Sequence, residues 1–331
     1  MTVRAAALIA CLLGASSAGA ARPIQLKMAT IAPEGSPYLV VCQDLAALMS
    51  RNCGGAVEIK VFPAGLLGSE PELMAQLAAG KIDLFCGTSI AAQSYIPELA
   101  VFDLPYLFEG HRDIDASLGS VWAGLEKAVD RRGYGLLGLS EVGFKHLGTR
   151  KPVSTVADLK ALRFRSQPSA LQARMWELLG VPHRPIGQVE TLEPLAGGSI
   201  EGVDSTIIWM FVSSWHLHVK HVTLTGHLFQ PGLILLGPAG REKIPPRLLG
   251  GLSRGWRAVA RRGVEATRKA ERDLLDSLPG TGVQVHGMPG ALGRDFRQLT
   301  RPLHAEWRSK ASPAGRALLD QLARDRVTSS P

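Results

Sequence analysis

Three short patterns in this sequence could carry chemistry, and one arginine could hold an anion. Gly251-x-Ser253-x-Gly255 has the spacing of a hydrolase nucleophile elbow, with His286 or His304 downstream as a base. An elbow needs a buried strand before its serine. Ile244-Pro245-Pro246-Arg247-Leu248-Leu249 cannot be a central strand, because proline donates no ladder hydrogen bond. Gly133-x-Gly135-x-x-Gly138 fits a dinucleotide fingerprint in form, but 128–132 before it reads as helical and the glycines themselves fall in the strand. His216-x-His218-x-x-His221 offers imidazoles to a metal with no nearby carboxylate or cysteine to complete a set. A serine hydrolase and a metal- or cation-dependent carrier are therefore alternatives that the surrounding segments oppose. Arg165, at the end of the apolar segment 162–165, offers a planar fork that can grip a carboxylate through two parallel hydrogen bonds.

Alternating strands and helices must position these groups. Residues 24–30 alternate as a strand, and after Ser36-Pro37 apolar residues recur at helical spacing through Leu48. Residues 57–62 form a second strand, Ser69-x-x-Glu72 is a capping box for a helix that Gly80 closes, and 82–86 form a third strand. This order predicts a doubly wound parallel sheet. The pattern restarts near 144: extended 144–148, a helix capped by Thr155-x-x-Asp158, strand 162–165, helix 168–179 closed by Gly180, extended 183–186, helix 189–196 and strand 200–204. Ligands of open α/β sheets bind at the carboxyl ends of strands, which is where Arg165 and Asp204-Ser205 stand. Residues 246–278 read as one amphipathic stretch, weak only at Gly250, Gly251, Gly255 and Gly263. As a helix it would exceed roughly 40 Å, long enough to cross two domains.

The chain has 331 residues, 46% of them hydrophobic and 20% charged, which suits two globular domains. No apolar run reaches the roughly 18 residues of a membrane-spanning helix. The net charge of +8 suggests a nucleic-acid partner, yet residues after 240 hold 18 basic and 9 acidic side chains, leaving the rest nearly neutral. Arg254, Arg257, Arg261, Arg262, Arg268, Lys269 and Arg272 interleave with Glu265, Glu271 and Asp273, the pattern of a solvated helix face, so no nucleic-acid partner is expected.

Arg4, the apolar residues 5–13 and Ala18-Gly19-Ala20 predict a signal peptide, 1–20, cleaved after Ala20. Leu8-Ile9-Ala10-Cys11 has too few apolar residues before it for a lipoprotein box. Three cysteines remain, and Cys42 and Cys53 on one helix would lie roughly 16 Å apart. No disulfide framework and no zinc spacing are expected.

Several segments, in order, resemble the periplasmic solute-binding proteins of tripartite ATP-independent periplasmic (TRAP) transporters, DctP type. They include Val61-Phe62-Pro63, Ile96-Pro97-Glu98-Leu99-Ala100-Val101-Phe102-Asp103-Leu104-Pro105-Tyr106, Asp158-Leu159-Lys160-Ala161-Leu162-Arg163-Phe164-Arg165, Gly198-Ser199-Ile200-Glu201-Gly202 and Leu224-Thr225-Gly226-His227. The resemblance implies a periplasmic-binding-protein-like (Venus-flytrap) α/β fold with two interleaved lobes and a long helix spanning both. Lobe I is expected over 21–143 plus 228–265, and lobe II over 144–227 plus 266–331. It further implies capture of a small organic acid in the interlobe cleft, delivery to the TRAP membrane permease subunits, periplasmic location, no catalysis and no cofactor.

Within that resemblance Arg165 takes the place of the family's carboxylate clamp. Arg150, with Lys151 an equal candidate, resembles a second basic contact. Where many members carry Glu-Asn-Pro, this chain has Asp204-Ser205-Thr206, so Ser205 or Thr206 must donate in place of an amide. Asp204 is an acceptor, or the neighbour of a cation as in some members that bind 2-oxo acids. Trp209, ahead of Phe211 and Trp215, is the aromatic expected at the cleft, with Ser36, Pro37 and Tyr38 as candidates for closing it from the other lobe.

Overall fold

The computed structural model describes residues 22–329, so the expected signal peptide lies outside the described residues. Ser36 accepts a hydrogen bond from the Leu39 amide and Pro37 pre-sets the first turn of helix Pro37–Asn52. Both anticipated capping boxes form, Ser69 with Glu72 and Thr155 with Asp158. Gly180 ends helix Ala170–Leu179 in the left-handed region, at φ +66°.

Among the described residues nine strands make one sheet: β1 (Ile24–Ala29), β2 (Val57–Phe62), β3 (Leu84–Thr88), β4 (Gly135–Thr149), β5 (Phe164–Ser166), β6 (His183–Pro185), β7 (Gly202–Ser205), β8 (His221–Leu236) and β9 (Gln284–His286). Their order is β2-β1-β3-β8-β4-β7-β5-β6, with β9 beside β8. Parallel β2-β1-β3 belong to the first lobe and parallel β7-β5-β6 to the second. The antiparallel pair β4 and β8 runs through both. β8 pairs with β3 through 232–236 and with β9 through 221–223, while β4 meets β7 through 146–149. Between lobes the β4–β8 register shifts at Glu141/Gly143 and again at Lys145/Leu147, with Gly143 at φ +124°. Bulges bend and twist a strand, so the sheet bends here.

The anticipated 33-residue helix is broken. Gly255 takes φ +76° and separates helix Pro246–Leu252 from helix Trp256–Ser277, whose 22 residues span about 33 Å. The longer piece still serves both lobes, touching helix Pro37–Asn52, β4 and helix Ile207–Val212. Its buried stripe runs Trp256, Val259, Ala260, Gly263, Thr267, Glu271, and each large apolar side chain there contributes about 1.5–3 kcal/mol by burial. Gly263 is needed because a Cβ there would come 2.2 Å from Val41.

Two further features were not anticipated. The terminal helix, Pro313–Ser329, packs on helices His111–Ser120 and Trp122–Asp130 and on turn Pro97–Asp103, all first-lobe elements, although the chain just before it packs on the second lobe. A single disulfide forms where no framework was expected: Cys42 and Cys86 are bonded, joining helix Pro37–Asn52 to β3, and among the described residues Cys53 is free and buried. The sequence distance between Cys42 and Cys86 hid a pairing that the first strand-helix-strand crossover brings about.

Candidate functional site

Both lobes, the hinge strands and the long helix enclose a cavity of about 50 Å³. The first lobe supplies Tyr38 and Glu70, the hinge strands Glu141 and Gln230, the second lobe Gln188 and Trp209, and the long helix Thr267. Tyr38 reaches in because Gly232 lets it: a Cβ on Gly232 would lie 2.4 Å from its ring, and its hydroxyl donates to the Gly87 carbonyl at 2.8 Å. Thr206 caps helix Ile207–Val212 by accepting from the Trp209 amide, and this short helix turns Ile208, Trp209 and Val212 to the cavity. Glu70 accepts from the Thr88 amide at 2.8 Å and its hydroxyl at 2.6 Å, and burial pushes its carboxyl upward. Glu141 is also raised by burial, although Arg268 binds it at 2.8 and 3.1 Å.

Three buried polar atoms on this wall have no protein partner: Trp209 Nε1, Gln230 Nε2 and Thr267 Oγ1. Buried donors are normally satisfied, so three orphans around one cavity mark a place for a ligand's acceptors.

Beside the cavity lies a charged cluster. The Arg165 guanidinium is fully buried; its Nε donates to the Ile186 carbonyl at 2.8 Å and Nη2 donates to Gln188 Oε1 at 2.9 Å. Nη1 stands 3.8 Å from Asp204 Oδ1, and the guanidinium packs 5.4 Å over the Trp215 ring. Burial lowers its pKa to about 10, against the pull of Asp204 and Glu190. Lys145 pairs with Asp204 and donates to Gln167 Oε1 and Gln172 Oε1, both at 2.8 Å. Burial lowers the Lys145 ammonium, which Asp204 opposes. For Asp204, burial pushes the carboxyl up, but Lys145, His227 and Arg165 outweigh it and hold it below the usual carboxylate range. Two cations thus flank Asp204, with Glu190 also acting on Arg165 and Asp103 on Lys145.

Of the residues anticipated from sequence, Arg165 and Asp204 meet in this cluster, Trp209 and Thr206 line the cavity, and Ser36, Pro37 and Tyr38 close it from the first lobe. Ser205 is buried in β7 opposite His146 and does not line the cavity. Arg150 is not brought to the site: it donates to the Leu195 and Ala196 carbonyls at the end of helix Leu192–Ala196, a favourable place for a cation. Lys145, Glu70, Gln188, Gln230 and Thr267 went unanticipated. Glu141 also went unanticipated; it and Lys145 carried a signal, each a charge in a strand otherwise built for burial.

The alternative motifs stay structural. Ser253 follows helix Pro246–Leu252 with no strand before it, and Gly135 begins β4. His216 stacks on Phe211 and His221 meets His286 at 3.1 Å. Among the described residues, no group of three or more His, Cys, Asp or Glu could hold a metal ion, and no helix is long and apolar enough to cross a membrane.

Comparison with known proteins places this architecture. The profile for bacterial extracellular solute-binding proteins, family 7 (DctP), matches residues 28–310. A solute-binding protein of Verminephrobacter eiseniae is 25% identical over 288 residues, 86% of this chain and 84% of that protein. The 2,3-diketo-L-gulonate-binding periplasmic protein of Escherichia coli is 22% identical over 76% of this chain and 79% of its own. Among solved structures, a TRAP periplasmic solute-binding protein of Desulfovibrio salexigens with bound orotic acid superposes at TM-score 0.86, with 20% identity, covering 92% of this chain and 99% of that one. A Bordetella pertussis extracytoplasmic solute receptor binding pyroglutamic acid gives 0.84, with 21% identity over 90% and 99%.

Proposed function

Because this chain belongs to the bacterial extracellular solute-binding proteins of family 7, we propose that it captures a small organic acid between its lobes in the periplasm and presents the closed form to a TRAP permease. It is a binding protein and not an enzyme. Relatives whose descriptions name a solute carry acids, among them 2,3-diketo-L-gulonate, pyroglutamic acid and orotic acid.

The observation that carries this reading is the buried pair Arg165 and Lys145 beside a cavity that both lobes wall. Arg165 anchors the carboxylate as a fork, Lys145 adds a point charge, and Trp209 and Gln230 donate to remaining oxygens. Asp204 is an acceptor that orients the two cations. With Lys145 on it, no further cation is assigned there. Closure follows from differential contact, because a solute touching both lobes stabilises the closed state more than the open one.

Calorimetric titration of the purified mature protein with a panel of organic acids tests the proposal. Arg165→Lys keeps the charge and loses the fork, so a drop in affinity of tenfold or more is expected, about 1.4 kcal/mol. Unchanged affinity would remove Arg165 as anchor. Titration after chelation is expected to give the same affinity as before.

A further inference from the structure

We propose that residues 103–109 form a clasp of the first lobe on the second, which stabilises the closed form without touching the solute. This rests on the two-lobed binding reading above and deepens it by naming positioning residues for closure.

The segment belongs to the first lobe at both ends. It follows turn Pro97–Asp103 and precedes helix His111–Ser120, and both of these pack on the terminal helix Pro313–Ser329. Leu99, Val101 and Phe102 in the turn are buried, so the root of the segment cannot follow the second lobe without exposing apolar core.

Its outward contacts reach three helices of the second lobe. Asp103 accepts from the Ser169 hydroxyl at 2.7 Å, and both side chains are buried. Ser169 is also the cap of helix Ala170–Leu179, accepting from the Gln172 amide. The Pro105 carbonyl accepts from His304 Nε2 at 2.7 Å, in helix Pro302–Lys310. Tyr106 meets Phe296 edge to face, with ring centroids 5.7 Å apart, and Arg297 lies 3.9 Å over the Tyr106 ring. Arg297 Nη1 then donates to Glu109 Oε1 at 2.6 Å. Phe296 and Arg297 stand in helix Gly290–Thr300, which packs on both other helices, so a grip on one holds all three.

The backbone is strained where the grip is made. Tyr106 takes φ +52°, a left-handed conformation that an aromatic residue keeps only when its surroundings impose it. Its amide donates to the His227 carbonyl at 2.9 Å, on β8, the strand that runs through both lobes. Held this way, the ring is presented to Phe296 and Arg297.

None of these side chains lines the cavity. The clasp therefore adds the same increment to closure around any solute, and apparent affinity follows the closed fraction it maintains. Opening separates the lobes at this seam, where Glu109 and Arg297 are 43% and 48% exposed and water can replace each partner.

Spin labels on Leu66→Cys and Val189→Cys read the opening by pulsed electron paramagnetic resonance. These positions are 70% and 59% exposed and stand next to the first-lobe and second-lobe walls of the cavity. Cys53 is buried and Cys42 is bonded to Cys86, so the labels go to the introduced pair. No solute is added: a failed panel of acids would sink the organic-acid reading and leave this measurement standing. Arg297→Gln is expected to raise the long-distance population about threefold or more, while Arg297→Lys, which keeps a cation for Glu109 and the Tyr106 ring, stays near wild type. A merely structural Arg297 would lower the melting temperature and leave the distances alone. A long-distance population unchanged in Arg297→Gln, or as large in Arg297→Lys as in Arg297→Gln, overturns the clasp.

Discussion

Lys145 and Asp204 form an ion pair in which neither side chain reaches solvent, with exposures of 1% and 0%. Breaking such a pair strands a buried charge. Lys145→Met is expected to cost about 3–5 kcal/mol in urea unfolding, and Lys145→Met/Asp204→Asn to recover more than half of it. If the double variant is no more stable than the single one, the pair does not act as a unit. Solute affinity should stay low in both, since the anion's second cation is gone.

Tyr38 stands where Gly232 leaves room for it, and an added methyl would lie 2.4–2.7 Å from its ring and hydroxyl. Gly232→Ala should therefore cost about 1–3 kcal/mol by overpacking and weaken solute binding. Combining it with Tyr38→Leu should restore stability without restoring affinity. Calorimetry and thermal melting read the two effects separately.

The Cys42–Cys86 bond closes a loop of 44 residues, which the chain-entropy model values at about 4 kcal/mol. Cys42→Ala/Cys86→Ala should lower the urea midpoint accordingly. Peptide mapping without reductant should find these two linked and Cys53 alone alkylated. A reduced Cys42 in the purified protein would contradict the pairing.

His227 is buried, and burial lowers its pKa below the ordinary 6.5, against the attraction of Asp204, with Lys145 and His146 lowering it further. The unfolded chain takes up a proton below about pH 6.5 that the folded one refuses, so this stabilisation is complete above that pH and is lost as pH falls toward the folded value. Wild type should therefore lose about 1 kcal/mol more than His227→Gln between about pH 7.5 and about pH 5.5. Equal losses in urea titrations would remove His227 from the acid response.

Local signals made much of the fold legible. Val57–Phe62 was bounded by its alternation, the two capping boxes marked helix starts, and Gly180 marked a helix end. Arg165, Asp204 and Trp209 drew attention because each stands at or just past a strand end, and the structure sets Trp209 on the cavity wall and Arg165 against Asp204 beside it. Non-local features were not readable. Cys86 meets Cys42 only through a crossover, Pro313–Ser329 returns to the first lobe over a long sequence gap, and the continuous β4 looked like an extended piece starting at Phe144. Lys145 went unnoticed because its neighbours read as an ordinary strand, and Gln188 because it stands in a turn without periodicity. Arg150 misled because position along the chain does not say which way a side chain turns.

β4 and β8, 15 and 16 residues long, are each shared whole by both lobes. Neither lobe is a separable module: cutting the chain at 143 or 228 would divide β4 or β8, strands that both lobes use. Opening to release solute cannot proceed by melting a linker either. The two ribbons pass from one lobe to the other through the bulges at Glu141/Gly143 and Lys145/Leu147, so any change in the angle between the lobes is carried by paired strands.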